Sequence, residues 1–284
     1  MTSNQSLIFA IVFLFFIGCS IDKSSEDIPV YEGYELIWQD EFNEEGSPSL
    51  ENWNYEIGYI RNNEAQYYTN SDENSYVKDG ILVITGRKNH LDKPYTSASL
   101  NTRGKHHFTY GRFEIRARIP YSDGCWPAIW TVGNRYSWPI GGEIDLMEFY
   151  DRSILANVAW SSDQPYRPIW DSKKIPVQKW MDDNPAWLDE FHIWRMDWDE
   201  QFIRLYLDDE LLNETNLEET YNQGWKGNTD NPFRFQDASF GQYFILNLAL
   251  GGNQGGEIDD SAFPVKYEID YIRAYQKVKE DGTP

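Results

Sequence analysis

Cysteine is scarce in this chain of 284 residues: only Cys19 and Cys125 are present. No multi-bridge disulfide framework is available, so stability must come from a packed core. Positive charge is short too. Lys and Arg total 25 against 46 Asp and Glu, a formal net charge of −21. Nucleic acid is therefore excluded as a partner, because phosphate backbones reward basic patches. Strongly anionic polysaccharides are disfavoured for the same reason. The four histidines, His90, His106, His107 and His192, lack metal-ligand spacing. A phosphate-binding glycine loop is missing, and Gly251-Gly252 and Gly255-Gly256 read as turns. No segment carries a long helical period, and there is no internal repeat or low-complexity run. The apolar run at Leu7–Ile17 is too short to cross a membrane.

That run has the length of a signal-peptide h-region. It ends in Phe16-Ile17-Gly18-Cys19, a small residue before cysteine that resembles a bacterial lipoprotein cleavage box. The segment before it, Thr2 to Ser6, holds no Lys or Arg, a departure from the usual signal. On this reading residues 1–18 are removed, and Cys19 carries a lipid that anchors the chain in the outer membrane, at the cell surface. Membrane contact is then through the lipid alone. Residues 19–33 are polar and acidic and read as a flexible tether. Residues 34–277 form the folded body, and 278–284 a C-terminal tail.

Aromatic residues make up 16% of the chain, more than a core alone requires, and an aromatic-lined groove accounts for the excess. Strand signals recur throughout. Ile81-Leu82-Val83-Ile84 is a fully apolar strand core. Phe113, Ile115, Ala117 and Ile119 alternate with Arg112, Glu114, Arg116 and Arg118. Phe244, Leu246, Leu248 and Leu250 share a face opposite Tyr243, Ile245, Asn247 and Ala249. Ile203 to Leu207 alternates as well, and Asp208-Asp209 reads as a hairpin turn. Many short strands with turn punctuation give an all-β class and a β-sandwich. Residues 164–230, broken by Pro165, Pro168, Pro176 and Pro185, hold the longest loops.

Glu143-Ile144-Asp145-Leu146-Met147-Glu148 follows the turn-like Gly141-Gly142. On a strand Glu143 and Asp145 share one face, and strict alternation sends Glu148 to the other. One extra residue at a β-bulge, placed at Met147, returns Glu148 to the face of Glu143 and Asp145. Two carboxyl groups, one ionised and one protonated, are what glycoside hydrolysis requires. A half-exposed strand with acidic residues on its wet side is the plainer alternative. Nearby tryptophans weigh against it: Trp126 and Trp130 lie upstream with matching parity, and Trp138 precedes the glycines. Indole faces pack well on sugar rings, although Trp126 also suits a core role. The two glutamates are about four strand steps apart, roughly 13 Å between α-carbons. That spacing alone does not decide between the short carboxyl separation of a retaining enzyme and the longer one of an inverting enzyme.

With these residues in view, the chain resembles glycoside hydrolase family 16, in its laminarinase and mixed-linkage β-glucanase branch. The bulged E-x-D-x-x-E signature falls on Glu143, Asp145 and Glu148. Further matching segments, in order, are Trp38–Phe42, Gln66–Thr69, Tyr95–Ala98, Tyr110–Glu114, Leu246–Ala249 with Gly251-Gly252, and Asp270–Tyr275. The resemblance implies a jelly roll of two curved antiparallel sheets with a concave substrate cleft. It implies an endo-acting, retaining β-glucanase, with Glu143 as nucleophile, Glu148 as general acid/base and Asp145 tuning Glu143. Trp138 would stack on a sugar near the cleaved bond, with Trp126 and Trp130 candidates for further sugar contacts. Asn247 would reach sugar hydroxyls, and Asn62 would contact the non-reducing side, Asn63 competing for that alignment. Catalysis would need no cofactor. A structural Ca²⁺ would sit on Glu41, the Gly80 carbonyl and Asp270, oxygen donors of the kind calcium takes. The partner is a neutral β-glucan, and the protein is expected to be a monomer.

Two departures stand out. Ala159 occupies a place where laminarinases often carry a histidine, and Ser99 one where many relatives carry an arginine. They favour a mixed-linkage β-1,3/1,4-glucan over strict laminarin. The competing readings are a β-agarase or other galactanase of the same family, and a non-catalytic glycan-binding protein on the same fold.

Overall fold

Every strongly alternating segment forms a strand in the computed structural model, which describes residues 28–234 and 241–278. Two antiparallel sheets result. One holds ten strands: β1 (Tyr34–Asp40), β3 (Tyr67–Tyr68), β4 (Ser75–Lys78), β5 (Ile81–His90), β6 (Lys93–Ser97), β8 (Gly111–Arg118), β13 (His192–Trp198), β14 (Phe202–Leu207), β15 (Glu210–Asn216) and β17 (Val265–Lys277). The other holds seven, in the order β12 (Pro168–Pro176), β11 (Ser153–Ser161), β10 (Glu143–Tyr150), β9 (Cys125–Gly133), β16 (Gln242–Leu250), β7 (Ser99–Asn101) and β2 (Asn54–Tyr55). Among the described residues only β3 and β6 pair in parallel. Helix is confined to short turns among the described residues.

The sheets bury their facing sides against each other, as two-layer packing demands. From β8 come Phe113, Ile115 and Ala117, and from β16 Phe244, Leu246, Leu248 and Leu250. From β11 come Ile154, Ala156, Val158 and Trp160. The period of two then fixes the opposite face. In β11, Leu155, Asn157 and Ala159 point away from the other sheet, and these are the positions that matter for function. Asp208 and Asp209 make the β14–β15 turn with φ of 46° and 69°, the left-handed pair that a two-residue hairpin needs.

Residues 164–230 hold four strands, β12, β13, β14 and β15, as well as long connections at 177–191 and 217–230. Two of the prolines mark strand ends. Pro168 and Pro176 bound β12, an edge strand of the seven-stranded sheet, where a missing N–H is tolerated.

Cys125 is buried and unbridged. Cys19, the signal segment and most of the tether lie outside the described residues.

Candidate active site

The bulge falls where the acidic row requires it. Asp145 pairs with Asn157 and Glu148 with Leu155, so Leu146 and Met147 on β10 stand against Ala156 alone on β11. On the other side Asp145 pairs with Trp130 and Met147 with Ile129. Leu146 and Met147 therefore both turn into the core, alongside Ile144 and Phe149. Two consecutive apolar residues absorb the extra position, and Glu148 returns to the face of Glu143 and Asp145.

Cross-strand partners share a face, so the register lays out the floor of the site row by row. One row runs Tyr243, Val132, Glu143, Ala159, Trp170. The next runs Ile245, Trp130, Asp145, Asn157, Ser172, and a third Asn247, Ala128, Glu148, Leu155, Lys174. A groove of about 750 Å³ lies over these rows and is walled at one end by Glu56, Arg61, Asn62 and Glu64. A groove crossing five strands fits a polymer laid across the sheet, where a closed pocket would fit a small molecule.

Each carboxyl has defined partners. The Trp138 indole N–H donates to Glu143 Oε2. Trp126 Nε1 donates to Glu148 Oε1 at 2.8 Å. Asn157 Nδ2 bridges two acids, donating to Asp145 Oδ2 at 3.1 Å and Glu148 Oε2 at 3.0 Å. Burial is the main force on all three acids and raises each above the usual carboxylate range. Asp145 goes well above it, pushed by burial and then by the charges of Glu143 and Glu148. Kept neutral, it donates a hydrogen bond to Glu143 and stabilises that neighbour as an anion. Burial lifts Glu143 to about 7 and Glu148 to about 6. One shared proton thus moves among closely matched groups.

The loop carrying Trp138 is held close by glycines. A side chain at Gly133 would meet the Gly141 carbonyl at 2.2 Å. Without one, the two backbones touch, and Trp138 folds over Glu143.

The sequence-derived positions are brought together unevenly. Trp126, Trp130, Trp138, Asn62 and Asn247 all line the groove. Trp130 Nε1 donates to Asn247 Oδ1 at 2.7 Å, and Asn247 Nδ2 donates to the Tyr68 hydroxyl at 3.1 Å. Both ends of the Asn247 amide are thereby committed to protein, and it positions Trp130. Asn62, at φ 54°, donates to Glu64 Oε1 at 3.3 Å. Asn63 turns instead to Asn253, at 3.0 Å. Ser99 Oγ donates to Glu56 Oε2 at 2.6 Å, and the same oxygen accepts from Arg61. Arg61 also lies over the Trp130 ring at 5.0 Å. A guanidinium thus reaches the groove from the Arg61 loop, where Ser99 supplies none.

Glu56, Arg61, Asn157 and Trp170 were not singled out by sequence. Arg61 adjoins the Asn62 segment, and Asn157 stands across from Asp145, so register alone would have pointed to both.

Glu41, Gly80 and Asp270 lie away from the groove. Asp40 pairs with Ile272, and Leu82 with Ile269, so the register brings the three toward one junction of β1, β5 and β17. Both carboxylates already meet arginine. Arg273 donates to Glu41 through two nitrogens at 2.6 and 2.9 Å, and Arg116 to Asp270 at 2.5 Å. Among the described residues no group of three or more His, Cys, Asp or Glu is placed to hold a metal ion.

Known proteins match this geometry along the whole body. The model of glycosyl hydrolases family 16 matches residues 62–240. A β-glucanase of Rhodothermus marinus is 36% identical, covering 93% of this chain and 92% of its own length. The solved laminarinase from Rhodothermus marinus superposes with a TM-score of 0.71 at 33% identity, over 87% of this chain and 98% of that one. A structure from work on endo-acting O-glycanases of the human gut microbiota superposes with a TM-score of 0.75 at 32% identity, over 87% of this chain and 92% of that one. With the bulged acid row in place and these likenesses over nearly the full body, the chain belongs to glycosyl hydrolase family 16.

Proposed function

We propose that this protein is an endo-acting, retaining β-glucanase that cleaves mixed-linkage β-1,3/1,4-glucan, laminarin or both. The observation that carries the proposal is the bulge at Leu146-Met147, which sets three buried carboxyls in one row on the floor of an open groove. A protein that only bound glycans would bury three acids at a cost with no return. The relatives named as β-glucanase and laminarinase support a glucan over a galactan.

Cleavage proceeds in two displacements. Glu143 attacks the anomeric carbon as a carboxylate and forms a glycosyl ester. Glu148 gives its proton to the departing glycosidic oxygen as the bond breaks. Water then enters, Glu148 takes a proton from it, and hydroxide character at the anomeric carbon expels Glu143. Two inversions restore the β configuration. Only the form with Glu143 ionised and Glu148 protonated reacts. Burial raises both above the usual carboxylate range, so the groove keeps a proton near neutral pH for Glu148 to give. Asp145 acts by holding its proton toward Glu143 and favouring the reactive arrangement.

The test is a reducing-sugar assay across barley β-glucan, lichenan, laminarin, agarose and xyloglucan. Release from barley β-glucan, lichenan or laminarin is expected. Release from agarose alone would identify a galactanase, and release from none would return the binding-protein reading.

Two further proposals accompany this one. Glu41, Asp270 and the Gly80 carbonyl would hold a structural Ca²⁺ that shares its carboxylates with Arg273 and Arg116 and contributes stability without chemistry. A melting temperature raised by calcium in wild type and not in Asp270→Ala is the expected sign. Acylation at Cys19 would tether the protein to the outer membrane. Labelled palmitate is expected in wild type and not in Cys19→Ala.

A further inference from the structure

Four tryptophans line the groove: Trp126, Trp130, Trp138 and Trp170. Three have their indole N–H committed, to Glu148, Asn247 and Glu143 respectively. Trp170 differs. Among the described residues its N–H donates to no acceptor and its ring meets no other aromatic ring. It is also the most exposed of the four, at 43% against 37% for Trp138.

Its position follows from register. β12 is an edge strand, and Trp170 pairs with Ala159, which pairs with Glu143. All three side chains share the groove face. Neighbouring strands are about 4.8 Å apart, so Trp170 stands about 10 Å from Glu143 across the floor. That exceeds the width of one pyranose ring. Trp170 therefore faces a sugar beyond the bond being cut, on the flank opposite the wall of Arg61 and Asn62. Ala159, between them in the row, is fully buried, and Glu143 and Trp170 line the groove on either side of it. A residue that large, exposed on an edge strand, is a liability unless something covers it.

We propose that Trp170 is a sugar-stacking subsite of this protein, a platform on the β12 flank that binds a β-linked glucosyl residue by its apolar face. Stacking reads the flat face of a ring and not its hydroxyl pattern, so the platform accepts a sugar presented by either a β-1,3 or a β-1,4 linkage. The inference rests on the β-glucanase reading and deepens it.

The test uses the full protein with Trp170→Ala and Trp170→Phe. Wild-type turnover of barley β-glucan is measured first. Trp170→Ala is expected to raise KM for that polymer by about tenfold and leave kcat within about twofold, the scale of one aromatic contact. It should also shift the bond cut in short glucan oligosaccharides. Trp170→Phe should recover most of the KM. In an inactive Glu143→Gln background, adding Trp170→Ala should weaken oligosaccharide binding by a similar factor. Melting temperatures within a few degrees of wild type are expected, since the ring is largely in solvent. An active wild type whose Trp170→Ala variant keeps the same KM, cleavage pattern and affinity overturns the subsite alone. A wild type that cleaves no glucan overturns the subsite and the β-glucanase reading together.

Discussion

Glu143 takes one hydrogen bond from Trp138 and another from a protonated Asp145, yet burial still lifts it to about 7. A carboxylate held this way is stabilised for attack and costly for the fold. Glu143→Gln is expected to reduce turnover of β-glucan by at least about a thousandfold, because an amide cannot form the glycosyl ester. The sign of its effect on stability follows from linkage. The folded-state value lies above the unfolded one, so the native state holds the extra proton between them. Stability from this group is therefore full at low pH and lost as pH rises through about 7. Gln removes that loss. Melting at pH 8 should show the variant more stable by on the order of 1–3 kcal/mol, with little difference near pH 4. Equal stability at both values would contradict the burial argument. Glu148→Ala should lose activity on polysaccharide and keep it on aryl glycosides with good leaving groups, which need no proton. A matching loss on both would place the acid elsewhere. The pH profile of kcat/KM should be a narrow bell, falling below about 6 as Glu148 and Glu143 both gain protons and above about 7 as both lose them. A flat profile from pH 5 to 8 would contradict it.

At the scale of the element, one inserted position on β10 decides the outcome. Leu146 and Met147 both lie in the core, and this is what returns Glu148 to the groove. Met147→Asp puts a carboxylate at one of the two core-facing positions of the bulge. Such a variant should lose activity and several kcal/mol of stability, because a carboxyl would sit among apolar side chains without donors. A Met147→Asp variant as stable and active as wild type would refute the inward placement of the bulge. Much of this element was legible in the chain: three acids at that spacing make sense on one face only if one residue is extra. β8 and β16 were equally plain, since their apolar residues alternate without a break. β12 was not, because Pro168-Ile169-Trp170-Asp171-Ser172-Lys173-Lys174 has too few apolar residues to signal a strand. It is an edge, half wet on both faces, and tertiary pairing with β11 makes it a strand. Trp170 escaped notice for that reason. Asn247 was legible as a groove residue, but not its bonds to Trp130 and Tyr68, which join residues far apart in sequence.

For the molecule as a whole, the body rests on a two-sheet core with Cys125 buried and unbridged. Burial pushes the Cys125 thiol up to about 12, so it stays a thiol and is a poor nucleophile. Melting of the folded body should be unchanged by reductant, and a drop would reveal a bridge. The same two sheets leave one broad face for an uncharged polymer, while the strongly negative surface elsewhere repels anionic ones. The account stands or falls on whether that face performs two displacements at one carbon. Proton NMR of the first product released from a β-glucan measures this directly. The account predicts the β-anomer at first, with the α-anomer growing in only by mutarotation; the α-anomer appearing first would contradict it.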